Sequence, residues 1–232
     1  MFERLIGLIG EEKLSEIESK KILLIGVGGV GSYTLEALIR NGFSNLTLVD
    51  FDTIDLSNLN RQLITNTTNI GKYKVDEAQK RALSINPSIK IQTVKEKLNK
   101  ENLKVLLDQD FDYIIDACDT LEVKFALMEE SLHYSYKLIS CMGTAKKTNP
   151  TKLEITTIDK TNNDPIARIL RNKVKKAHIN KKLYVVSSTE VPKQISVLGT
   201  ANLVPSVAGL LCASYVFNDI IKDNKQHLIQ DR

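Results

Sequence analysis

Apolar positions along the chain follow two alternating periods. Residues 11–19 read as a helix that leads into Lys21-Ile22-Leu23-Leu24-Ile25, a continuous apolar run of strand length ended by glycines. Residues 32–40, with Tyr33, Leu35, Ala37, Leu38 and Ile39, return to helical spacing, and Asn41-Gly42 supplies a stop. Leu46-Thr47-Leu48-Val49 is a second buried strand. A strand, a glycine-rich turn, a helix and a strand within about 30 residues form a right-handed βαβ unit and hence a parallel sheet. The rhythm continues with a helix at residues 74–85 closed by Asn86-Pro87, and an alternating strand at 89–94. A short helix at 102–107, a buried strand at 113–117, a helix at 122–134 and a strand at 137–141 follow.

After Cys141 the pattern changes. Residues 153–158 alternate, Asp164-Pro165 pairs an N-cap with a proline at the first helical position, and the helix it opens runs to about Ala177. A short strand at 183–187 and a mostly apolar helix at 205–221 close the pattern. The expected fold is α/β, a Rossmann-like and mostly parallel sheet with helices on both faces, continued by the C-terminal part. No linker rich in Pro, Gly or Ser divides the chain, so residues 1–232 read as one domain, with a nucleotide-binding half at 1–141 and a second half at 142–232.

Composition narrows the class. At 232 residues, 42% hydrophobic and 26% charged, the chain is long enough to bury a core and is neither disordered nor fibrous. The first residues hold acid and no apolar stretch before a cleavage site, and the longest nearly apolar run, residues 204–217, falls short of the roughly 20 needed to span a bilayer. A cytoplasmic protein without a membrane span is expected. The net charge of +4 is unevenly placed: residues 160–182 hold eight Lys or Arg against Asp164 alone, a local +7 on a body that is otherwise slightly acidic. Such asymmetry suits either a phosphate backbone or a solvated helix face.

Candidate chemistry begins at Gly26-Val27-Gly28-Gly29-Val30-Gly31, between the first strand and its helix. Glycines here allow a tight turn and close approach of phosphate, and the helix N-terminus offers unpaired N–H groups. Asp50 ends the next strand, where a carboxylate can accept from ribose hydroxyls. By themselves the glycine turn and Asp50 fit NAD and ATP alike.

The stretch from Asp50 through Asp52 and Asn58 to Arg61-Gln62, followed by Gly71-Lys72-Tyr73-Lys74 and by Asp116-Ala117-Cys118-Asp119, resembles the adenylating superfamily of ubiquitin-activating-like enzymes. That resemblance implies ATP as cosubstrate and Mg2+ as its metal. Gly26, Gly28, Gly29, Gly31, Asp50, Asp52, Asn58, Arg61, Gln62, Lys74 and Asp116 would lie around the nucleotide, and Asp119 would hold magnesium. Arg61, Lys74 and Asp119 would be the catalytic set. Elementary chemistry agrees, because attack on an α-phosphate with loss of pyrophosphate needs fixed cations and a metal where charge builds up. A dehydrogenase has no need of Arg61 and Lys74.

The second half resembles a narrower group. Residues 8–14, Met142-Gly143-Thr144 with Asn149-Pro150-Thr151, residues 159–168 with Arg171, Ser187-Ser188-Thr189-Glu190, and Gly199-Thr200 with Val204-Pro205 and Gly209 are similar to the tRNA threonylcarbamoyladenosine dehydratase family. The resemblance implies a tRNA substrate, a homodimer and a sulfur-relay protein as a possible partner. It also gives the basic helix a use. Arg168, Arg171 and Lys175 share one helical face, with Lys176 beside them, while Ile166, Leu170 and Val174 share another. The first face would meet tRNA and the second the body.

Cys118, Cys141 and Cys212 are odd in number, far apart, and form no C-x-x-C pair, against both a disulfide framework and a zinc site. Each stands in apolar context and reads as a core residue. The competing reading is adenylation of the C-terminal Gly-Gly of a ubiquitin-like sulfur carrier; an NAD oxidoreductase and a nucleotide-binding module without chemistry rank lower.

Overall fold

In the computed structural model, residues 1–222 are described. The strands are β1 (Lys21–Ile25), β2 (Asn45–Val49), β3 (Lys90–Val94), β4 (Tyr113–Asp116), β5 (Lys137–Cys141), β6 (Leu153–Thr157) and β7 (Tyr184–Ser188). They form one seven-stranded sheet in the order β3-β2-β1-β4-β5-β7-β6. Every pairing is parallel except that of β6 with β7, which is antiparallel. The sheet crosses residue 141 without a break, because β7 pairs with β5.

The helices are α1 (Glu3–Ile9), α2 (Glu11–Ser19), α3 (Gly31–Arg40), α4 (Lys74–Ile85), α5 (Lys100–Leu107), α6 (Leu121–Glu130), α7 (Pro165–Lys176) and α8 (Leu203–Ile221). Two hydrophobic layers flank the sheet. Ile22 and Leu24 of β1 face Leu35 and Leu38 of α3, Val75 and Ala78 of α4, and Ala208 and Cys212 of α8. Leu23 and Ile25 face the other way, into a layer with Leu103 of α5, Leu127 of α6 and Leu170 of α7. A strand buried on both faces needs a continuous apolar run, which is what Ile22 to Ile25 provides.

The doubly wound, mostly parallel architecture expected from the sequence is present, and the C-terminal part extends the sheet as anticipated. The differences are local. Helix α1 escapes the periodicity, since none of its seven residues is buried. Helix α6 ends four residues before the expected Tyr134, where residues 131–133 form turns. Helix α8 starts two residues before Pro205, which a first turn tolerates because its N–H would have no intrahelical acceptor.

The apolar C-terminal helix is also longer than its 14-residue core suggested. At 19 residues it is long and apolar enough to cross a bilayer by length and composition alone. Here it packs along α3, with Ala208, Cys212, Val216 and Ile220 buried at i, i+4, i+8 and i+12. Gly209 allows the approach: a Cβ at this position would lie 2.3 Å from the Val30 carbonyl oxygen, and Thr34 Oγ1 donates to the Gly209 carbonyl at 3.0 Å. A Gly209→Ala variant is expected to lose about 1–3 kcal/mol through this overpacking, read as a lower urea midpoint with an unchanged slope.

Candidate active site

Winding the chain outward in both directions from β1 and β4 leaves a crevice beyond their C-terminal ends, the place where open α/β sheets bind ligands. The turn after β1 and the loop after β4 meet there. Gly26 has φ +87°, and a Cβ on it would stand 2.8 Å from the Ala117 carbonyl oxygen. One on Gly31 would overlap the Gly26 carbonyl oxygen at 1.8 Å. Only glycine lets the turn lie this close to both neighbours. The N–H groups of Gly28, Gly29 and Val30 donate to no atom among the described residues and stand at the start of α3, a cradle suited to an anion.

Asp50, one residue beyond β2, closes the cradle. Its Oδ2 accepts from Val27 N–H at 2.7 Å and its Oδ1 from Asp52 N–H at 2.9 Å. Burial raises its pKa above the ordinary carboxylate value, with those two N–H groups and the nearby Lys74 charge pulling the other way. A carboxylate has about four lone-pair positions, so capacity remains for ligand hydroxyls.

The segment after Asp50 folds over the cradle. Asp55 caps a short 3-10 helix at Leu56–Asn58, accepting from Ser57 N–H at 2.8 Å, while Asn58 Oδ1 accepts from Asp55 N–H at 3.1 Å. Arg61 donates through Nη1 to the Ser57 carbonyl at 2.7 Å, and its stem lies over Gly29, where a Cβ would be 3.4 Å from Arg61 Cγ. Gln62 lies next to Gly28, is 6% exposed, and has no partner for its buried Oε1 among the described residues. A buried amide oxygen left open is costly, so a ligand donor there would be stabilising. Lys74, the first residue of α4 and 6% exposed, pairs with Asp52 Oδ2 at 2.7 Å. The structure thus brings Gly26, Gly28, Gly29, Gly31, Asp50, Asp52, Asn58, Arg61, Gln62 and Lys74 to one edge. Asp119 is exposed in the loop after β4 and makes no hydrogen bond or ion pair among the described residues.

Two expected site residues are placed differently. Asp116 does not face the crevice: it is fully buried, and its carboxylate accepts from Lys124 Nζ at 3.0 and 3.1 Å, from Ser140 Oγ, and from Cys118 N–H at 3.3 Å. It lies beneath the site, bonded to β5 and α6. Arg171 is half-buried and donates through Nη1 to the Thr161 carbonyl and, at 2.9 Å, to Thr161 Oγ1, so it fastens α7 to the preceding turn. Arg168, Lys175 and Lys176 stand exposed on α7, opposite buried Ala167, Leu170 and Val174. A second buried pair pins that helix. Asp164 caps it by accepting from Ala167 N–H at 3.0 Å and takes Lys147 Nζ at 2.8 Å, and Lys147 also donates to the Gly143 carbonyl at 2.7 Å.

Lys124 and Lys147 were not singled out from the sequence. For Lys124 a signal exists: it shares a helical face with Leu127 and Met128, and all three are buried. Burial opposes its charge, but the Asp116 carboxylate prevails and raises its pKa above that of an ordinary lysine. The Cys118 thiol is pushed up by burial and by Asp116, which keeps it protonated and a poor nucleophile.

The ThiF family profile matches residues 2–230. The tRNA threonylcarbamoyladenosine dehydratase of Bacillus subtilis (strain 168) is 37% identical over 97% of this chain and 96% of its own length. The Escherichia coli tRNA N6-threonylcarbamoyladenosine dehydratase TcdA in complex with ATP superposes with a TM-score of 0.90 at 27% identity, covering 100% of this chain and 96% of that one. The same enzyme in complex with AMP gives 0.88 at 29% identity, over 94% and 92%. The chain therefore belongs to the ThiF family, within its tRNA threonylcarbamoyladenosine dehydratase branch.

Removing one partner of a buried ion pair strands the other charge, so Lys124→Met is expected to lose about 3–5 kcal/mol of stability. Most of that loss should return in the Lys124→Met/Asp116→Asn double variant, as measured by a denaturation cycle.

Proposed function

We propose that this chain uses ATP to cyclise threonylcarbamoyladenosine beside a tRNA anticodon, a dehydration that proceeds through an acyl-adenylate. The observation that carries the proposal is an anion cradle with a ribose-type carboxylate in the same sheet as a helix whose exposed face is basic and whose first turn is pinned to the loop after β5. The names of the full-length relatives support it.

In this reading the nucleotide lies with its ribose hydroxyls on Asp50 and its phosphates over the N–H groups of Gly28, Gly29 and Val30. Asn58, Arg61, Gln62 and Lys74 complete the binding wall, and Lys74 exchanges part of its bond with Asp52 for phosphate oxygen. The substrate carboxylate attacks the α-phosphorus, the bond to the bridging oxygen of pyrophosphate breaks, and the arginine and lysine stabilise the leaving charge. An internal nucleophile of the modified nucleoside then attacks the activated carbonyl carbon, the ring closes and AMP departs with the carboxylate oxygen. Because the nucleophile belongs to the substrate, no protein thiolate is required, consistent with a protonated Cys118.

Asp119 fits a divalent ion that travels with the triphosphate. Magnesium takes one or two protein carboxylates and fills its octahedron with phosphate oxygens and water, so it needs no cluster of protein ligands. Among the described residues no group of three or more His, Cys, Asp or Glu forms such a cluster. When bound, the ion neutralises charge on the leaving pyrophosphate. A homodimer also belongs to this reading, supported by the outward Leu203 and Leu210 on α8 and by exposed Ile155 on edge strand β6. Carrier-protein adenylation, the second reading, leaves Arg168, Lys175 and Lys176 without a use.

Incubation with ATP-Mg and tRNA bearing threonylcarbamoyladenosine should release AMP and shift the nucleoside mass by one water; AMP release that requires a carrier protein instead would reverse the assignment. Reversing charge at Arg168, Lys175 and Lys176 should weaken tRNA binding at least about tenfold and flatten its salt dependence, with ATP affinity unchanged. Asp50→Asn removes a buried charge whose pKa is raised. A raised carboxyl pKa means that folding disfavours the ionised form, but an amide can accept from only one of the Val27 and Asp52 N–H groups and sets its NH2 against the other, so the two effects offset and the variant's stability at neutral pH should stay within about 1 kcal/mol of the parent's. Its ATP affinity should nevertheless fall about tenfold, measured by equilibrium dialysis.

A further inference from the structure

Between β7 and α8 the chain runs out over the candidate site in a loop with an apolar tip. Val191, Ile195, Val197 and Leu198 are 67%, 41%, 68% and 80% exposed. Three parts of the site hold this loop. Asn60 Nδ2, in the segment that covers the cradle, donates to the Thr200 carbonyl at 2.8 Å. Lys146, after β5, accepts Lys193 N–H at 2.8 Å, donates its own N–H to the Gly199 carbonyl at 2.9 Å, and reaches the Ile195 carbonyl with Nζ at 2.8 Å. Asn163, just before α7, donates to the Thr189 carbonyl at 2.9 Å. The tip therefore sits where the nucleotide edge and the basic helix come together.

We propose that this tip receives an unstacked base of the RNA loop that carries the target adenosine, while the cations of α7 take its phosphates. The inference rests on the tRNA reading above and deepens it. A carboxylate attached to a stacked base is poorly placed to reach an α-phosphate, and proteins that act on a base or read RNA loops do so on nucleotides taken out of the stack. Aliphatic side chains commonly hold such openings by occupying the place of a neighbouring base. The charge around the tip suits RNA. Lys146 and Lys193 flank it, and its one acid, Glu190, is turned inward to accept from Thr148 N–H at 3.0 Å and Asn149 N–H at 2.8 Å. Those bonds and nearby Lys147 lower the Glu190 pKa against a desolvation cost.

The test uses the full chain and an anticodon stem-loop RNA with 2-aminopurine beside the target adenosine. The wild type should raise the 2-aminopurine fluorescence. The Val197→Ser/Leu198→Ser variant should lose most of that rise, and kcat/KM for tRNA should fall about tenfold. ATP affinity and the salt slope of RNA binding should match the wild type, because no phosphate contact is lost. Leu198→Met should keep the signal, since an apolar chain of similar volume fills the same place without stacking on the probe. Wild-type kcat/KM in the serine variant overturns the proposal. So does a change in ATP affinity, which would make the tip a lid on the nucleotide, or a change in sedimentation, which would seat a second copy on it. A wild type that turns over tRNA without a fluorescence rise overturns this inference alone, whereas a wild type with no tRNA-dependent AMP release overturns the functional reading as well.

Discussion

Beneath the catalytic edge, the ammonium of Lys124 and the carboxylate of Asp116 meet out of contact with water, and the upper surface of the site rests on them. Neither charge is affordable alone at 1% and 0% side-chain exposure. Together they tie α6 to β4, and through Ser140 Oγ and the Cys141 carbonyl they tie both to β5. Asp116 also holds Cys118 N–H, which fixes the start of the loop that ends in Asp119. Ala117 of that loop is the wall against which Gly26 turns. The position of the anion cradle therefore depends on a buried pair sealed beneath it.

A second buried pair does the same for the basic helix. Lys147 and Asp164, again at 1% and 0% side-chain exposure, anchor the first turn of α7 to Gly143 in the loop after β5. Two strand ends thus carry two sealed lysine-aspartate contacts, one setting the floor of the nucleotide crevice and the other the angle at which the basic helix leaves it. An enzyme that must bring a macromolecular carboxylate to a small phosphate needs these two surfaces in fixed relation, because a displacement of about 1 Å can cost about a hundredfold in rate.

Much of this was legible in residue order. The apolar run at 22–25, the glycine turn and the helix after it are local, so their spacing alone defines a βαβ unit. The same holds for Asp50, whose place at a strand end follows from counting. Asp116 was misread for a physical reason. A carboxylate at the end of a parallel strand can point up into the crevice or back into the layer, and the choice depends on a lysine eight residues later on a different element. For Arg171, helical spacing places it on the basic face but cannot show that Thr161 lies within its reach.

The linear chain thus determined the kind of sheet, the position of the nucleotide turn within it, and the existence of one helix with a basic and an apolar face, since each depends on periodicity or on contacts between near neighbours. Tertiary structure alone decided which charges lie at the crevice and which are sealed within the fold. It also turned a helix apolar enough for a bilayer inward against α3, where Gly209 lets the backbones meet, and drew Asn60, Lys146 and Asn163 onto one exposed loop. Those outcomes rest on contacts between residues of different elements, from eight to more than a hundred positions apart, whose desolvation and packing energies exist only once the sheet has brought them together.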